Sequence, residues 1–184
     1  TIKNLLKNDG HIYGVTTGFG DSCTVPVKKD GVNSLSESLV RFHNCGLGEY
    51  FSENESRAIQ ATRLSSLCNG MSGVSIELLK KMVTLLNCKI STRIPQEGSV
   101  GASGDLTPLS YLAAALMGEQ FVYSKGQVVD SAKALQEQGI KPYQLKPKEG
   151  LAIMNGTAVM TGLACLAYKR AEYLIDLSSR ITSM

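Results

Sequence analysis

The sequence predicts a mainly α-helical protein with one small β-hairpin, and three observations point to this class. Apolar residues recur at helical spacing in most segments, and several of these segments begin with a capping signal. A single stretch has the strand–turn–strand pattern of a hairpin. Hydrophobic residues make up 43% of the chain and charged residues 19%, which provides enough apolar surface for a packed core.

The composition narrows the classes of function. A length of 184 residues suits one domain, and a net charge of +3 is too small and too dispersed to indicate a nucleic-acid surface. The balance of apolar and charged residues is not that of a membrane-spanning protein. The five cysteines show neither C-x-x-C nor paired zinc spacing, so we expect reduced thiols, no metal site and a cytoplasmic protein without a secretory leader.

Capping signals and apolar spacing predict the elements of the first half. Ser52 followed by Glu55 is a capping box, in which each side chain bonds the backbone N–H of the other residue. Ser75 is a second helix-start signal, and Asp9-Gly10 is a stop signal. The predicted elements are the end of a helix at 2–8, a glycine-punctuated loop at 11–20, helices at 34–44, 52–70 and 75–86, and an extended segment at 90–97.

The second half begins with an apolar, alanine-rich helix. Thr107 suits the N-cap and Pro108 the first helical position, so this helix is predicted over Leu109–Met117. The turn Ser124-Lys125-Gly126 between two short apolar runs predicts the hairpin. The remaining predicted elements are a short helix at 131–138, a loop at 140–148 and one long helix from Leu151 to about Ser179, whose small residues permit close helix packing.

A glycine-rich stretch from Gly98 to Gly104 lies just before the alanine-rich helix. Its simplest interpretation is a turn that caps a buried helix. A phosphate cradle is a second interpretation, although the spacing G-x-x-G-x-x-G matches neither the G-x-G-x-x-G nor the Gly-Lys-Ser/Thr pattern. The third is chemical, because Gly104 has no side chain to shield its amide nitrogen and Ala102 has little bulk around its carbonyl carbon.

In the chemical interpretation, the tripeptide Ala102-Ser103-Gly104 becomes an electrophile. A sharp turn would bring the nitrogen of Gly104 against the carbonyl carbon of Ala102, and loss of water would close a five-membered ring. Loss of the Ser103 hydroxyl as a second water would leave an exposed methylene. Ordinary side chains offer no such electrophile. Spacing alone leaves all three interpretations open.

The run GSVGASGDLTPLS, which begins at Gly98, resembles the signature of the aromatic amino acid ammonia-lyase and aminomutase family, which includes the histidine, phenylalanine and tyrosine ammonia-lyases. Two further motifs resemble the family in the same order: YGVTTGFG from Tyr13, and Asn155-Gly156-Thr157. The resemblance implies that Ala102, Ser103 and Gly104 form a self-derived 4-methylidene-imidazol-5-one (MIO) prosthetic group. It implies no external cofactor.

The resemblance also assigns roles to single residues. Tyr13 is implied to be the catalytic base that removes a β-proton of the substrate. Asn155 is implied to contact the prosthetic group or the substrate, and Asp105 to assist ring closure. Each residue also has a plainer interpretation: a tyrosine packed on the core, an asparagine that caps a helix, and a carboxylate at a helix start.

Phe42 and His43 lie at the position that sets substrate selectivity in the family. Histidine ammonia-lyases carry a substrate-contacting histidine at the place of His43, whereas phenylalanine lyases typically have Phe-Leu at the two positions. Phe42 therefore resembles the phenylalanine branch and His43 the histidine branch. A structural role for a lone histidine on a helix is the alternative, and the pair leaves the substrate open.

Taken over residues 1–184, the resemblance implies the N-terminal part of an ammonia-lyase with the family's aspartase-like helix-bundle fold. Because the chain starts at Thr1 and stops soon after a long helical pattern, we expect it to be a fragment that is inactive by itself. The implied full enzyme is a homotetramer that deaminates an aromatic amino acid to an α,β-unsaturated acid. The alternatives are an aromatic aminomutase and a non-catalytic helical interaction domain.

Overall fold

The computed structural model describes residues 11–28, 31–101 and 104–184. Two predictions lie outside the described residues: the helix end at 2–8, and the conformation of Ala102 and Ser103.

The mainly α-helical class is confirmed. Within the described part, the helices are α1 (Val32–His43), α2 (Glu53–Cys68), α3 (Ile76–Asn87), α4 (Leu106–Leu116), α5 (Ser131–Glu137), α6 (Glu149–Met154) and α7 (Ala158–Thr182). The strands are β1 (Leu47–Tyr50), β2 (Ser91–Thr92), β3 (Pro95–Glu97), β4 (Phe121–Ser124) and β5 (Gln127–Asp130), and a 3-10 helix spans Gly20–Thr24.

Helix α4 lies at the centre of the core. Every residue from Thr107 to Leu116 is buried, including leucines and alanines on all sides of the helix. A helix that is apolar all round must be covered all round, and α1 and α6 are among the elements that pack on it. Asp105, which directly precedes α4 and is itself buried, is therefore held at the edge of the core.

The strands form two small antiparallel sheets, one of β1 with β3 and one of β2, β4 and β5. The predicted hairpin β4–β5 is confirmed, and Lys125 (φ 52°) and Gly126 (φ 75°) have the positive φ values of a type I′ turn. The predicted extended segment at 90–97 contains two strands that belong to different sheets. Strand β1 was not predicted, because all four of its residues are exposed and show no apolar alternation.

Two predicted helix starts are confirmed by their hydrogen bonds. The Ser52 hydroxyl accepts from Glu55 N at 3.3 Å, while Ser52 N donates to the Glu55 carboxylate at 2.8 Å. The hydroxyl and the backbone N–H of Ser52 both stabilise the carboxylate and lower the pKa of Glu55. Ser75 accepts from Leu78 N at 3.2 Å and caps α3 in the same way.

Helices α2 and α7 pack closely because Gly162 has no side chain. A Cβ on Gly162 would lie 3.0 Å from both the N and the Cα of Ile59. Only glycine therefore lets the two helix backbones approach this closely. The prediction that small residues permit close packing is confirmed at this position. One face of the first turns of α7, with Ala158, Val159 and Gly162, is thereby buried, whereas the C-terminal half is exposed.

The predicted start of α4 is two residues too late. Asp105 rather than Thr107 is the N-cap, and Leu106 rather than Pro108 is the first helical residue. The Asp105 carbonyl accepts from Leu109 N at 3.1 Å, as an N-cap carbonyl does. Pro108 is then the third helical residue, which costs no hydrogen bond because the first turn has no intrahelical partners for its N–H groups.

The prediction of one long helix from Leu151 is also wrong. Helix α6 ends at Met154, Asn155 is extended (φ −86°, ψ 107°), and α7 begins at Ala158. The apolar pattern continues through the break, so periodicity does not reveal it. Two side chains, Arg63 on α2 and Asp105 just before α4, form hydrogen bonds with the backbone on the two sides of the break.

By length and composition, the segment Glu149–Thr182 could cross a membrane. Such a composition is equally typical of helices in a protein core, and one face of the first turns of α7 is buried, with Gly162 packed against α2. The break at 155–157 interrupts the segment, and the C-terminal half of α7 carries Lys169, Arg170, Glu172 and Asp176. Packing against the rest of the protein therefore explains the apolar composition of this segment.

Candidate active site

Gly104, the last residue of the predicted tripeptide, lies against the break between α6 and α7. Its φ of +107° is a conformation that L side chains rarely adopt. A Cβ on Gly104 would lie 2.7 Å from Gly156 N and 3.2 Å from Asn155 Oδ1. Two of the three motifs found in the sequence therefore meet in space, and no side chain fits between them.

Asp105 fixes this contact. Its N–H donates to the Gly156 carbonyl at 2.7 Å. Its Oδ2 accepts from Val159 N at 3.1 Å and from Met160 N at 3.3 Å, the free N–H groups in the first turn of α7. Its Oδ1 accepts from the Ser99 hydroxyl at 2.9 Å. A buried carboxylate at a helix N-terminus is stabilised by these bonds and by the helix dipole.

Asp105 therefore lies at two helix starts. Its backbone is the N-cap of α4, whereas its carboxylate bonds the first turn of α7 rather than that of α4. The carboxylate ties the glycine-rich stretch at Ser99 to the start of α7.

Asn155 lies exposed in the break, on the wall of an open groove of about 710 Å³ between α2 and the start of α7. Hydroxyl and amide side chains line much of the groove, from α2, from the turn after it and from the start of α7. These include Thr62, Ser65, Ser66, Asn69, Ser72, Thr157 and Thr161. Asn155 is therefore accessible to solvent next to Gly104.

Arg63 is a part of this site that the motifs did not reveal. It lies on α2, is only 3% exposed, and donates to three carbonyls at the end of α6. Nε donates to Ile153 O at 2.8 Å, and Nη2 donates to Asn155 O at 2.6 Å and to Ala152 O. One signal in the sequence marks it, since Arg63 continues the buried stripe of Ile59 and Leu67 at four-residue spacing.

Tyr13 lies in the first glycine loop, with its side chain 52% exposed. Its phenolic oxygen accepts from Gly20 N at 3.0 Å, and its ring meets Phe19 edge to face at 6.1 Å between centroids. A Cβ on the neighbouring Gly14 would lie 3.3 Å from Leu151 Cδ2, so the loop packs against the first turn of α6.

Phe42 and His43 lie at the end of α1, where the Phe42 ring is 80% exposed. The two rings meet edge to face at 5.2 Å. His43 Nδ1 lies 2.9 Å from the carbonyl of Leu39, which can only accept, so Nδ1 carries the proton and Nε2 is left to face other groups.

Helix α6 contacts or leads to each of these separate positions. Its Gly150 packs against the backbone of Ser36 on α1, its Leu151 meets the Tyr13 loop, and its end leads to Asn155. Six helical residues span about 9 Å, so the loop, α1 and the Gly104 contact lie around one short helix.

Among the described residues, no hydrogen bond joins Tyr13, Phe42 or His43 to Gly104 or Asn155. The described part of the chain also contains no group of three or more His, Cys, Asp or Glu residues placed to hold a metal ion.

Replacing Asp105 tests its role as the tie between α4 and α7. Asp105→Ala leaves two helix N–H groups and the Ser99 hydroxyl without their partner, so we expect the free energy of unfolding to fall by about 3 kcal/mol. Asp130→Ala is the matched control, because Asp130 is an exposed cap of α5 and its loss should cost only about 1 kcal/mol. Equal costs in urea unfolding would refute the role given to Asp105.

Comparison with known proteins places these motifs in one family. The family model "Aromatic amino acid lyase" matches residues 1–184. A histidine ammonia-lyase of Staphylococcus saprophyticus is 45% identical over 174 residues, which are 95% of this chain and 35% of that protein. The chain spans about a third of the length of the curated relatives that it matches.

Solved structures agree with the sequence comparison. A tyrosine aminomutase from Streptomyces globisporus superposes with a TM-score of 0.87 and 43% identity, over 92% of this chain and 32% of that one. The phenylalanine aminomutase of Pantoea agglomerans gives a TM-score of 0.90 and 33% identity, over 96% and 34%. With the family model matching its whole length and its fold shared with these enzymes, the chain belongs to the aromatic amino acid lyase family.

Proposed function

We propose that this chain forms part of an ammonia-lyase that deaminates an aromatic amino acid, with histidine as the substrate, to an α,β-unsaturated acid. One observation carries the proposal: Gly104 is held at φ +107° against Asn155 and Gly156, with Asp105 bonded on both sides of the contact. Histidine is favoured because the relatives at 41–45% identity are named histidine ammonia-lyases and because His43 is present.

The residues around Gly104 fit a prosthetic group made from Ala102, Ser103 and Gly104. Ring closure joins the Gly104 nitrogen to the Ala102 carbonyl carbon with loss of one water, and the Ser103 side chain loses a second water. A glycine is required at position 104, because a side chain would collide with Gly156. The resulting MIO ring supplies an electrophilic methylene, which ordinary side chains lack.

Four side chains of this chain have the remaining roles in the proposed reaction. Tyr13 takes the β-proton of the substrate, with its hydroxyl held by Gly20 N. Asn155 faces the groove and orients the substrate or the ring. Asp105 holds Gly104 against the break, and His43 offers Nε2 to a polar substrate side chain.

An aromatic aminomutase is the second candidate, because the tyrosine aminomutase from Streptomyces globisporus is as similar in sequence, at 43% identity, as the curated lyases are. An aminomutase would use the same residues and return the ammonia to the β-carbon. Chromatography of the products separates the two, since only the aminomutase releases a β-amino acid.

The remainder of the enzyme is also part of the proposal. Because the chain covers about a third of its relatives' length, we expect these 184 residues to release no ammonia by themselves. We propose a homotetramer in which further segments complete the helix bundle and the site. The exposed apolar side chains of α7, among them Tyr173, Leu174 and Leu177, provide a surface for such packing.

Ser103→Ala tests the prosthetic group directly. Without the Ser103 hydroxyl no methylene forms, so the full-length variant should lose the near-ultraviolet absorbance of the ring and its ammonia release from histidine. Ser34→Ala is the matched control, because Ser34 is exposed and its hydroxyl donates to the Gly31 carbonyl, so the absorbance and the turnover should be unchanged. Undiminished turnover in Ser103→Ala would refute the ring.

Tyr13→Phe tests the proposed base. Removing the hydroxyl of a base that acts only in the transition state should lower kcat of the full-length enzyme about 100-fold or more, with KM changed far less. Steady-state kinetics with histidine provide both constants. A loss confined to KM would mean that Tyr13 only binds the substrate.

His43→Leu tests the substrate. The variant has the Phe-Leu pair of the phenylalanine branch, and we expect relative kcat/KM to move toward phenylalanine over histidine by roughly 1–2 kcal/mol, the scale of one polar contact in a pocket. Competition between the two amino acids measures the ratio. The same ratio in wild type and variant would show that His43 does not face the substrate.

A further inference from the structure

Helix α6 ends inside the protein with carbonyl groups that need partners. The last carbonyls of a helix have no intrahelical donor and carry partial negative charge. Arg63 meets this need from α2, with hydrogen bonds to the carbonyls of Ala152, Ile153 and Asn155. A guanidinium suits the task because its donors form a rigid fork and it stays charged when buried.

Arg63 also lies directly behind Gly156. A Cβ on Gly156 would collide with Nη1 of Arg63, and a Cβ on Gly104 would lie 2.7 Å from Gly156 N. Three groups are therefore stacked without a gap: the guanidinium, the backbone of Gly156 and the backbone of Gly104. Both glycines are needed because the stack leaves no space for a side chain at either position.

The two sides of the break are held by opposite charges. Arg63 binds the carbonyls that end α6, while the Asp105 carboxylate binds the N–H groups that begin α7. Burial lowers the pKa of Arg63, and the attraction of Asp105 opposes that shift. The pair therefore keeps Asn155 extended and the chain non-helical between α6 and α7, which helical propensity alone would not maintain.

From this stack we propose that Arg63 is a positioning residue for ring formation, which presses Gly156 against Gly104 and fixes Asn155 beside it. The inference rests on the proposed function, since it assumes that Ala102, Ser103 and Gly104 close into a ring. In this role Arg63 acts through the backbone of residues 152–156, which its guanidinium bonds and contacts.

The test compares Arg63→Lys and Arg63→Met with wild type in the full-length protein. Lysine keeps the charge but loses the fork that binds three carbonyls, and methionine keeps the bulk alone. We expect both variants to fold but to show a weaker near-ultraviolet band per folded molecule. We also expect kcat to fall about 100-fold, the scale of a small misplacement at a site, with KM nearly unchanged.

Arg57→Lys and Arg57→Met are the matched controls. Arg57 lies on the same helix, is partly buried, and has no hydrogen-bond partner at Nη1 among the described residues. Both control variants should keep the full band. Gly156→Ala repeats the test from the other side, because its methyl group displaces the guanidinium, and Gly31→Ala is its control in ordinary contact with Val27.

The possible results separate the two claims. A wild-type protein without the band refutes the proposed function itself. A full band in Arg63→Met refutes the role of Arg63 while the proposed function stands. Bands that fall only in proportion to the unfolded fraction, measured by circular dichroism, would assign Arg63 to stability alone and equally refute the inference.

Discussion

The close contact between Gly104 and the Asn155-Gly156 backbone is the constraint on which the rest of the site depends. It requires a glycine on each side, because Gly156 N lies 2.7 Å from where a Gly104 side chain would begin and Arg63 occupies the space behind Gly156. Asp105 holds the contact closed, with its N–H on the Gly156 carbonyl and its carboxylate on the first turn of α7. The helix break, the buried Asp105 carboxylate and the buried Arg63 guanidinium therefore all fix the backbone at Gly104 and Gly156.

The surrounding fold explains why this contact is rigid. Helix α4 is buried along almost its whole length, so the residue that begins it has little freedom to move. Helix α7 is fixed against α2 by the glycine contact at Gly162, and α2 also supplies Arg63. The N-termini of α4 and α7 and the C-terminus of α6 therefore meet at one place, which brings donors, acceptors and charge to the end of the tripeptide.

Local signals in the sequence predicted the elements whose causes are local. The capping box of Ser52 and the hairpin turn at Gly126 formed as expected, and the motifs placed Gly104, Asp105 and Asn155 together. The break after Met154 was missed because its causes are bonds from Arg63 and Asp105, which are distant in sequence. Strand β1 was missed because its pairing with β3, rather than any apolar alternation, defines it. The roles of Tyr13 and His43 stay predictions, since no hydrogen bond among the described residues ties either one to this contact.

The central claim is that Ala102, Ser103 and Gly104 close into a ring, and the mass of one peptide tests it most directly. Trypsin should release residues 94–125 of the full-length protein as a single peptide that contains the tripeptide. Loss of two waters predicts a mass about 36 Da below that of the unmodified sequence, with the change located at residues 102–104 by fragmentation. A peptide of unmodified mass from folded, full-length protein would contradict the account.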